Sequence, residues 1–419
     1  MPVRAPHLYG PLRTFCLAAF AQLGPQSAQP DELTFALDEH PSGLYEYRPL
    51  VRDLVHARAY WLAGLPDALI AIDELMREPA AAIFSRLRVE PDSAEPRALF
   101  RAILLPLLTR TAEACGGFDW EDGAFERAYA ELERSLYGAT RSYTAIAPLL
   151  GLSVGTPVEL TRGIRVRTSS ADELGGHWPD ARDLLPPGFG REPEYSGVLE
   201  LTRELPGDAE TPPDAPAELA DAVTALRLAT AAPVAAGPVA FERLDWHPFG
   251  LRPMLGIAST EPAGEPTRLD PWRGGLAREL LGRLARAEQD AELAEALERW
   301  ELSLFEGEPL RSERLRESVT ALLGGSDGLW AATMRASMLL GETSRERADV
   351  NESLRALARG ERGGDAGAEA LRRAVVETLF HDDRARLLDE LDEALLGLRA
   401  RPAGYFSARA IGHESGTAA

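Results

Sequence analysis

The sequence predicts a predominantly helical α+β fold: an N-terminal helical domain, a β-rich middle section and a C-terminal helical bundle. Two observations predict it. Apolar residues recur at helical spacing before residue 150 and after residue 266, whereas between them they alternate with polar residues as in half-buried strands. A chain of 419 residues can also form two or three hydrophobic cores. We therefore expect domains at residues 1–150, 151–265 and 266–400, followed by a flexible tail at 401–419.

The N-terminal domain is expected to be helical apart from one hairpin. In "YRPLVRDLVHARAYWLAG", Leu50, Leu54 and Leu62 share one helical face with their apolar neighbours. The helix "LPDALIAIDELM" follows, with Asp67 near its start, where a carboxylate suits the free N–H groups. In "ELTFALDEHPSGLYEYRP" the residues alternate around Pro-Ser-Gly, which indicates a small β-hairpin.

The middle section shows the patterns of strands. "TPVELTRGIRVRTSS" alternates Val158, Leu160, Ile164 and Val166 with polar residues around Gly163, as a strand pair does. Further strand candidates are "YSGVLELTREL", "GPVAFERLDWHPFG" and "RPMLGIAST", with a short helix in "ADAVTALRLAT". We expect roughly four or five strands here.

One motif in this section suggests a nucleophile. The stretch "GLSVG" matches the G-x-S-x-G pattern of a nucleophile elbow around Ser153. An elbow needs a strand before the serine and a helix after it. We expect the reverse here, a helical run before Ser153 and a strand after it. A turn that ends a helix explains both glycines, so no catalytic residue is assigned.

The C-terminal section is expected to form a bundle from five runs of helical spacing, at 277–306, 311–323, 327–341, 345–359 and 366–398. The last run can break near His381. In the first run, Leu293, Leu297 and Trp300 form an apolar stripe. Such a stripe is either the core of the bundle or an interface with a partner or a second copy.

The composition limits the chemistry that the chain can perform. All 45 basic residues are arginine, which excludes mechanisms that need a lysine. Neither the two cysteines nor the seven histidines stand at metal-ligand spacing, so no metal and no cofactor is expected. With a net charge of -21, the general surface does not attract nucleic acid, which would need a local basic patch. No stretch reaches the ~18 apolar residues of a membrane span, and a cytoplasmic protein is expected.

One basic stretch, "LRALARGERGGD" at residues 354–365, is a candidate phosphate site. Arg355, Arg359 and Arg362 could form a phosphate-binding cluster there. The alternative is a solvated loop whose arginines pair with neighbouring acidic residues. The glycines make a continuous helix unfavourable. We therefore expect one helix to end at about Leu357 and the next to start near Glu369.

The segment "ALERWELSLFEGEPLRSERLRESVTALLGG", with "ATMRASMLLGE" and "SRERADVNESLRAL" after it, resembles the Apea-like branch of the HEPN domain superfamily, over residues 215–400 at most. In active members of that branch two such domains pair, and their Arg…His motifs cut RNA without a metal ion. Arg355 matches the arginine position, but Arg359 stands where the histidine would. No histidine of this chain, His381 included, has an arginine at the required spacing. The resemblance therefore implies a degenerate motif and loss of the nuclease.

These observations favour a non-catalytic interaction, scaffold or regulatory subunit of a bacterial assembly, with a protein partner or self-association. The resemblance implies a defence or stress system as its setting. The alternative is an RNA-binding or metal-independent RNA-cleaving effector that uses Arg355, Arg359, Arg362 and His381. Nucleic-acid binding is not favoured, because the motif has no imidazole to move a proton.

Overall fold

The computed structural model describes residues 5–27, 35–39, 45–49, 51–87, 95–170, 173–174, 178, 184–186, 189, 197–245, 247–257, 260, 262, 265–287, 289–359 and 364–405. These residues form helices in both terminal sections and an antiparallel sheet between them. The predicted fold class, α+β and predominantly helical, is confirmed.

The N-terminal section is a group of helices around a shared apolar core. Its elements are α1 (Pro6–Ser27), β1 (Phe35–Glu39), β2 (Tyr45–Pro49), α2 (Val51–Ala57), α3 (Ala59–Leu62), α4 (Pro66–Met76), α5 (Pro79–Arg86), α6 (Glu95–Leu99), a π-helical turn (Phe100–Leu104), α7 (Leu105–Cys115) and α8 (Asp122–Tyr137). Pro66 and Pro79 open their helices, where the missing proline N–H has no intrahelical partner to lose. β1 and β2 pair antiparallel, which confirms the predicted hairpin. α1 packs against α4 and α7, and its Leu12 and Phe15 are fully buried.

The middle section is an antiparallel sheet with one helix packed against it. Its elements are β3 (Thr140–Leu150), β4 (Leu152–Val154), β5 (Val158–Thr161), β6 (Ile164–Thr168), β7 (Gly197–Pro206), α9 (Ala215–Thr230), β8 (Ala235–Ala236), β9 (Val239–Leu244), β10 (His247–Pro253) and β11 (Thr267–Leu269). The strand order is β10-β9-β3-β7-β6-β5, and β8 also pairs with β3. β4 and β11 form a separate parallel pair. α9 packs against β7, which places a helix over the sheet.

The sheet begins at Thr140, so the expected change from helix to strand at residue 151 was placed too late. β3 is a central strand, paired with β7 on one side and β9 on the other, and residues 143–149 are all buried. A strand that is buried on both faces does not alternate, and its apolar run looks like part of a buried helix. Periodicity alone therefore assigned it to the helical section.

The two faces of this sheet contact different layers. Tyr143 and Leu201 belong to the main apolar core, which continues through the helices of both terminal sections. Ile146 and Phe241 lie on the opposite face, where they pack with Trp178 in a smaller cluster. The face that carries Tyr143 is therefore the one that joins the sheet to the helices.

The C-terminal section is a helical bundle. Its elements are α10 (Pro271–Ala287), α11 (Ala291–Ser303), α12 (Leu310–Leu323), a 3-10 turn (Gly325–Asp327), α13 (Gly328–Leu340), α14 (Ser344–Ala358), α15 (Gly364–Phe380) and α16 (Arg384–Leu395). α11 packs along α12, α13 along α14, and α14 along α15. Successive helices are thus neighbours in space, as short connections favour.

Aspartate caps set two helix boundaries in this bundle. The run expected at 277–306 is two helices, because the Asp290 carboxylate accepts hydrogen bonds from the backbone N–H groups of Glu292 and Leu293 and starts a new helix. The predicted break near His381 is confirmed, and the Asp383 side chain caps the start of α16.

The connection after Ala358 is shorter than expected, because α15 begins at Gly364 and not near Glu369. Gly367 was taken as a helix breaker, but it lies where α15 approaches α14. A Cβ at this position would stand 3.1 Å from the carbonyl oxygen of Ser353. The glycine therefore allows close helix packing, which outweighs its low helix propensity.

The first residues of the expected tail are held against the bundle. The Tyr405 hydroxyl donates a hydrogen bond to Glu279 over 2.7 Å, and its ring stacks on Phe380 at 3.7 Å. Residues 401–405 are therefore not a free tail, and residues 406–419 lie outside the described residues.

Candidate functional site

The predicted basic cluster lies at the end of α14, on the surface of the bundle. Arg355 and Arg359 are both exposed, and Arg362 lies outside the described residues. The Arg355 guanidinium lies over the indole ring of Trp330, 4.3 Å from its centroid, and that ring is itself 57% exposed. Arg355 therefore makes a surface cation–π contact with Trp330.

The structure does not bring His381 to this cluster. Arg359 stands before the start of α15, and His381 directly follows its end. A helix of 17 residues is about 25 Å long, since each residue adds about 1.5 Å. His381 is therefore one helix length away from the arginines within this chain, far beyond hydrogen-bonding reach.

The apolar stripe of α11 is part of the core of this chain. Leu293 and Leu297 are 6% and 7% exposed, and Trp300 is 1% exposed. These side chains belong to the main cluster of buried residues, because α12 packs along α11 and covers the stripe. Of the two alternatives open in the sequence, the structure selects the bundle core. The three residues are not surface groups that a partner could contact.

Ser153 lies in the short strand β4, where it pairs with Arg268 of β11. The strand β3 precedes it, so the helical run expected before Ser153 was wrong. The segment after it leads into the strand β5, and an elbow would require a helix there. Gly151 has a φ of 74° and supplies the turn between β3 and β4, which accounts for one glycine of the motif.

A buried ionic cluster on the sheet was not predicted. Glu242 of β9 is 0% exposed, and its Oε1 atom accepts a hydrogen bond from Nε of Arg252 over 2.7 Å. The Tyr143 hydroxyl donates to the same oxygen. Arg252 reaches out of the sheet to the carbonyl oxygen of Pro213, two residues before α9 begins. The cluster thus ties three adjacent strands to the segment that leads into α9.

Burial dominates the electrostatics of this cluster. It raises the pKa of the Glu242 carboxyl, although the hydrogen bonds from Tyr143 and Arg252 oppose the shift. Burial, together with the adjacent carboxylate, also raises the pKa of the Tyr143 hydroxyl. Among the described residues, the second carboxyl oxygen, Oε2, has no hydrogen-bond partner, and a Cβ at Gly250 would lie 2.7 Å from it. Gly250 therefore provides the space that the Glu242 carboxyl occupies.

The Glu242 carboxyl is not accessible to a substrate from solvent. Tyr143 and Arg252 both donate to Oε1 of Glu242, and the carboxyl is shielded from solvent. This arrangement stabilises the sheet and does not present an acid or base to a substrate. The sequence carries a signal for it, because Glu242 stands between Ala240 and Leu244 on the inward face of a predicted strand.

A second buried charge lies where the N-terminal helices meet the sheet. Arg141 of β3 is 1% exposed, and its Nε donates a hydrogen bond to the Ser135 carbonyl over 2.8 Å. Its guanidinium lies over the Phe84 ring, at 5.4 Å from the centroid. Burial lowers the pKa of Arg141, while the carboxylates of Asp245 and Asp208 oppose the shift. These contacts connect α5, α8 and β3.

In the described part of the chain, no group of three or more His, Cys, Asp or Glu side chains is arranged to hold a metal ion. No helix there combines the length and the apolar character that a membrane crossing requires.

The outer surface of α4 exposes apolar side chains, whereas the Glu242 cluster buries charged ones. Leu69, Ile70 and Met76 are 54%, 55% and 45% exposed, and Asp73 is exposed between them. We call these four residues the α4 face. Just before α4, Tyr60 and Trp61 of α3 are exposed as well.

The inner surface of α4 is the side that packs against the rest of the N-terminal section. Ala68, Ala71, Ile72 and Leu75 fill the inner side, where α4 packs against α1 and α6. The helix is thus apolar on both sides. The sequence contained this signal in "LPDALIAIDELM", where apolar residues exceed the single stripe of a surface helix.

Comparisons with protein-family models, curated proteins and solved structures give no match to this chain. The resemblance to the Apea-like branch of the HEPN superfamily therefore stays a prediction.

Proposed function

We propose that the protein is a non-catalytic interaction subunit that binds another protein through the α4 face. The observation that carries the proposal is the exposure of Leu69, Ile70 and Met76, about half of each side chain, on one side of a well-packed helix. Exposed apolar surface costs about 25 cal/mol per Å² relative to burial, and a contiguous patch marks a binding surface.

Two further features support an interaction role. Tyr60 and Trp61 precede the α4 face in the chain, and aromatic residues are enriched where proteins bind one another. The buried ionisable group around Glu242 is enclosed in the sheet, where its side chains bond to one another.

The test compares two sets of substitutions at exposed apolar residues. The variant L69Q/I70Q/M76Q makes the α4 face polar while it keeps residues compatible with a helix. The control L396Q/L398Q changes two residues that are 75% and 73% exposed after α16. We expect proteins that co-purify with the wild-type chain from its native host to be lost with the first variant and kept with the second, as measured by quantitative mass spectrometry. Equal recovery with both variants would contradict the proposal.

RNA binding is a second candidate, favoured by one specific observation. Trp330 offers an exposed indole ring and Arg355 lies over it, with Arg359 four residues later at the C-terminal cap of α14. Aromatic rings and guanidinium groups together bind single-stranded nucleic acid through base stacking and phosphate contacts. Cleavage is not part of this candidate, because His381 lies one helix length away.

A further inference from the structure

The α4 face has a negative charge at its centre. Successive residues of a helix are about 100° apart, which places Asp73 about 40° from Leu69 and about 60° from Ile70 and from Met76. Among the residues that the structure describes, no basic side chain forms an ion pair with Asp73. The nearest arginine along the helix, Arg77, pairs with Glu74 over 2.6 Å. The face therefore offers apolar contacts around one unpaired carboxylate.

Helix geometry indicates the shape of the partner. Leu69, Asp73 and Arg77 form a row at i, i+4 spacing, and Ile70, Asp73 and Met76 form a row at i, i+3 spacing. Such rows pack into the grooves of another helix. Because the rows cross at Asp73, a helix laid across α4 would place one of its own residues against that carboxylate.

A second copy of this chain is a poor occupant of the face. In a symmetric dimer whose two-fold axis passes near Asp73, at the centre of the face, the same surface meets itself and two Asp73 carboxylates approach each other. The net charge of -21 would also oppose the approach of two copies. An anionic membrane surface is disfavoured for the same reason, and helices that lie on membranes carry basic residues on their polar side.

We infer that the α4 face binds an amphipathic helix of a partner protein, with a lysine or arginine between two apolar residues one turn away on either side. This inference rests on the proposed function and adds the chemistry of the partner to it. The apolar residues would contact Leu69, Ile70 and Met76, and the basic residue would pair with Asp73. Apolar burial supplies affinity, while the charge selects among amphipathic helices.

The test uses two designed amphipathic peptides of about five helical turns. They are identical except for the residue at the centre of the apolar side, which is arginine in one and glutamate in the other. Binding of each labelled peptide to the full-length chain is measured by fluorescence anisotropy. The protein variants are wild type, D73N, D73R and L69Q/I70Q/M76Q, with L396Q/L398Q as the control.

The expected result is a reversal of preference with the charge at residue 73. The wild type and the control should bind the arginine peptide about fivefold more tightly than the glutamate peptide, the effect of one partly exposed ion pair. D73N should remove the preference, and D73R should favour the glutamate peptide. L69Q/I70Q/M76Q should bind neither peptide.

The test separates an error in the charge selection from an error in the docking surface. If both peptides bind the wild type equally, and L69Q/I70Q/M76Q binds neither, the charge selection is wrong while the docking surface stands. If no peptide binds, or if L69Q/I70Q/M76Q binds like wild type, the docking surface itself is wrong.

Two further measurements address the other occupants. Self-association that is measured by sedimentation equilibrium and lost in L69Q/I70Q/M76Q would overturn the partner helix in favour of a second copy. Binding to vesicles of phosphatidylserine and phosphatidylcholine that is lost in the same variant would overturn it in favour of a membrane. We expect neither.

Discussion

The Glu242 cluster and the α4 face both invert the usual distribution of side chains. At Glu242 a carboxyl group is wholly buried, whereas on the α4 face Ile70 keeps 55% of its surface in water. Buried charges are rare unless they are paired, and exposed apolar groups matter only when they gather in a patch. Both regions therefore need an explanation, and the explanations differ.

The two regions differ in whether the same chain supplies the contacts that each unusual side chain needs. Glu242 has its hydrogen-bond partners within the same chain, on β3 and β10. The apolar side chains of the α4 face point to solvent, while the opposite side of the helix is buried in the core of the N-terminal section. A buried charge that has its partners within the chain serves the fold. An apolar surface that the described residues leave exposed is available for binding.

The largest effect should come from removing the buried carboxyl. Glu242→Ala removes the carboxyl oxygen to which both Arg252 and Tyr143 bond and takes away the ionic partner of the Arg252 guanidinium, so we expect the free energy of unfolding to fall by about 3–5 kcal/mol. Denaturant unfolding measures it. The double variant E242A/R252A should cost less than the sum of the single changes, because the pair is removed together. Additive losses would show that the two side chains do not act as a pair.

The next effect contrasts a covered leucine with an exposed one. Leu297→Ala on α11 should lower the free energy of unfolding by about 2–5 kcal/mol, since it leaves a cavity in the bundle. Leu69→Ala on α4 should change it by less than about 0.5 kcal/mol. Denaturant unfolding of both variants measures the contrast. Similar losses at the two positions would mean that the α4 face is covered within the chain and would remove the basis of the comparison.

The pH dependence of stability should carry the signature of Glu242. Its folded-state pKa is raised, so above the ordinary value of about 4.3 the unfolded chain releases this proton first. The stability that Glu242 contributes should therefore be greatest at low pH and fall as the pH rises through the folded-state pKa. The comparison is with Glu242→Gln, which cannot titrate, by denaturant unfolding at several pH values. A stability difference between the two proteins that rises with pH would contradict the assigned direction.

The smallest effect should come from the basic cluster. Replacement of Arg355, Arg359 and Arg362 together by alanine should leave RNA affinity, measured by filter binding, weak and unchanged, because the interaction role is assigned to the α4 face. A loss of affinity with a shallower dependence on salt concentration would identify phosphate contacts and promote the RNA-binding candidate.

Local patterns in the sequence were enough to predict the fold class and several boundaries. The hairpin around Pro-Ser-Gly, the break near His381 and the alternation of Val158 with its neighbours all depend on residues a few positions apart. The Asp290 cap is also a local signal, but the single helix expected at 277–306 did not take it into account. Such signals are local because turns and caps involve hydrogen bonds between near neighbours.

The sequence by itself determined that α4 and α11 are helices with apolar surface. Only the tertiary structure decided that α12 covers the stripe around Trp300 while Leu69, Ile70 and Met76 remain exposed. The same holds for Glu242, whose hydroxyl partner Tyr143 lies 99 residues away in the chain. Periodicity reports which residues share a face of one element. Burial and pairing depend on which distant element packs against that face, and a single sequence does not encode that in its local spacing.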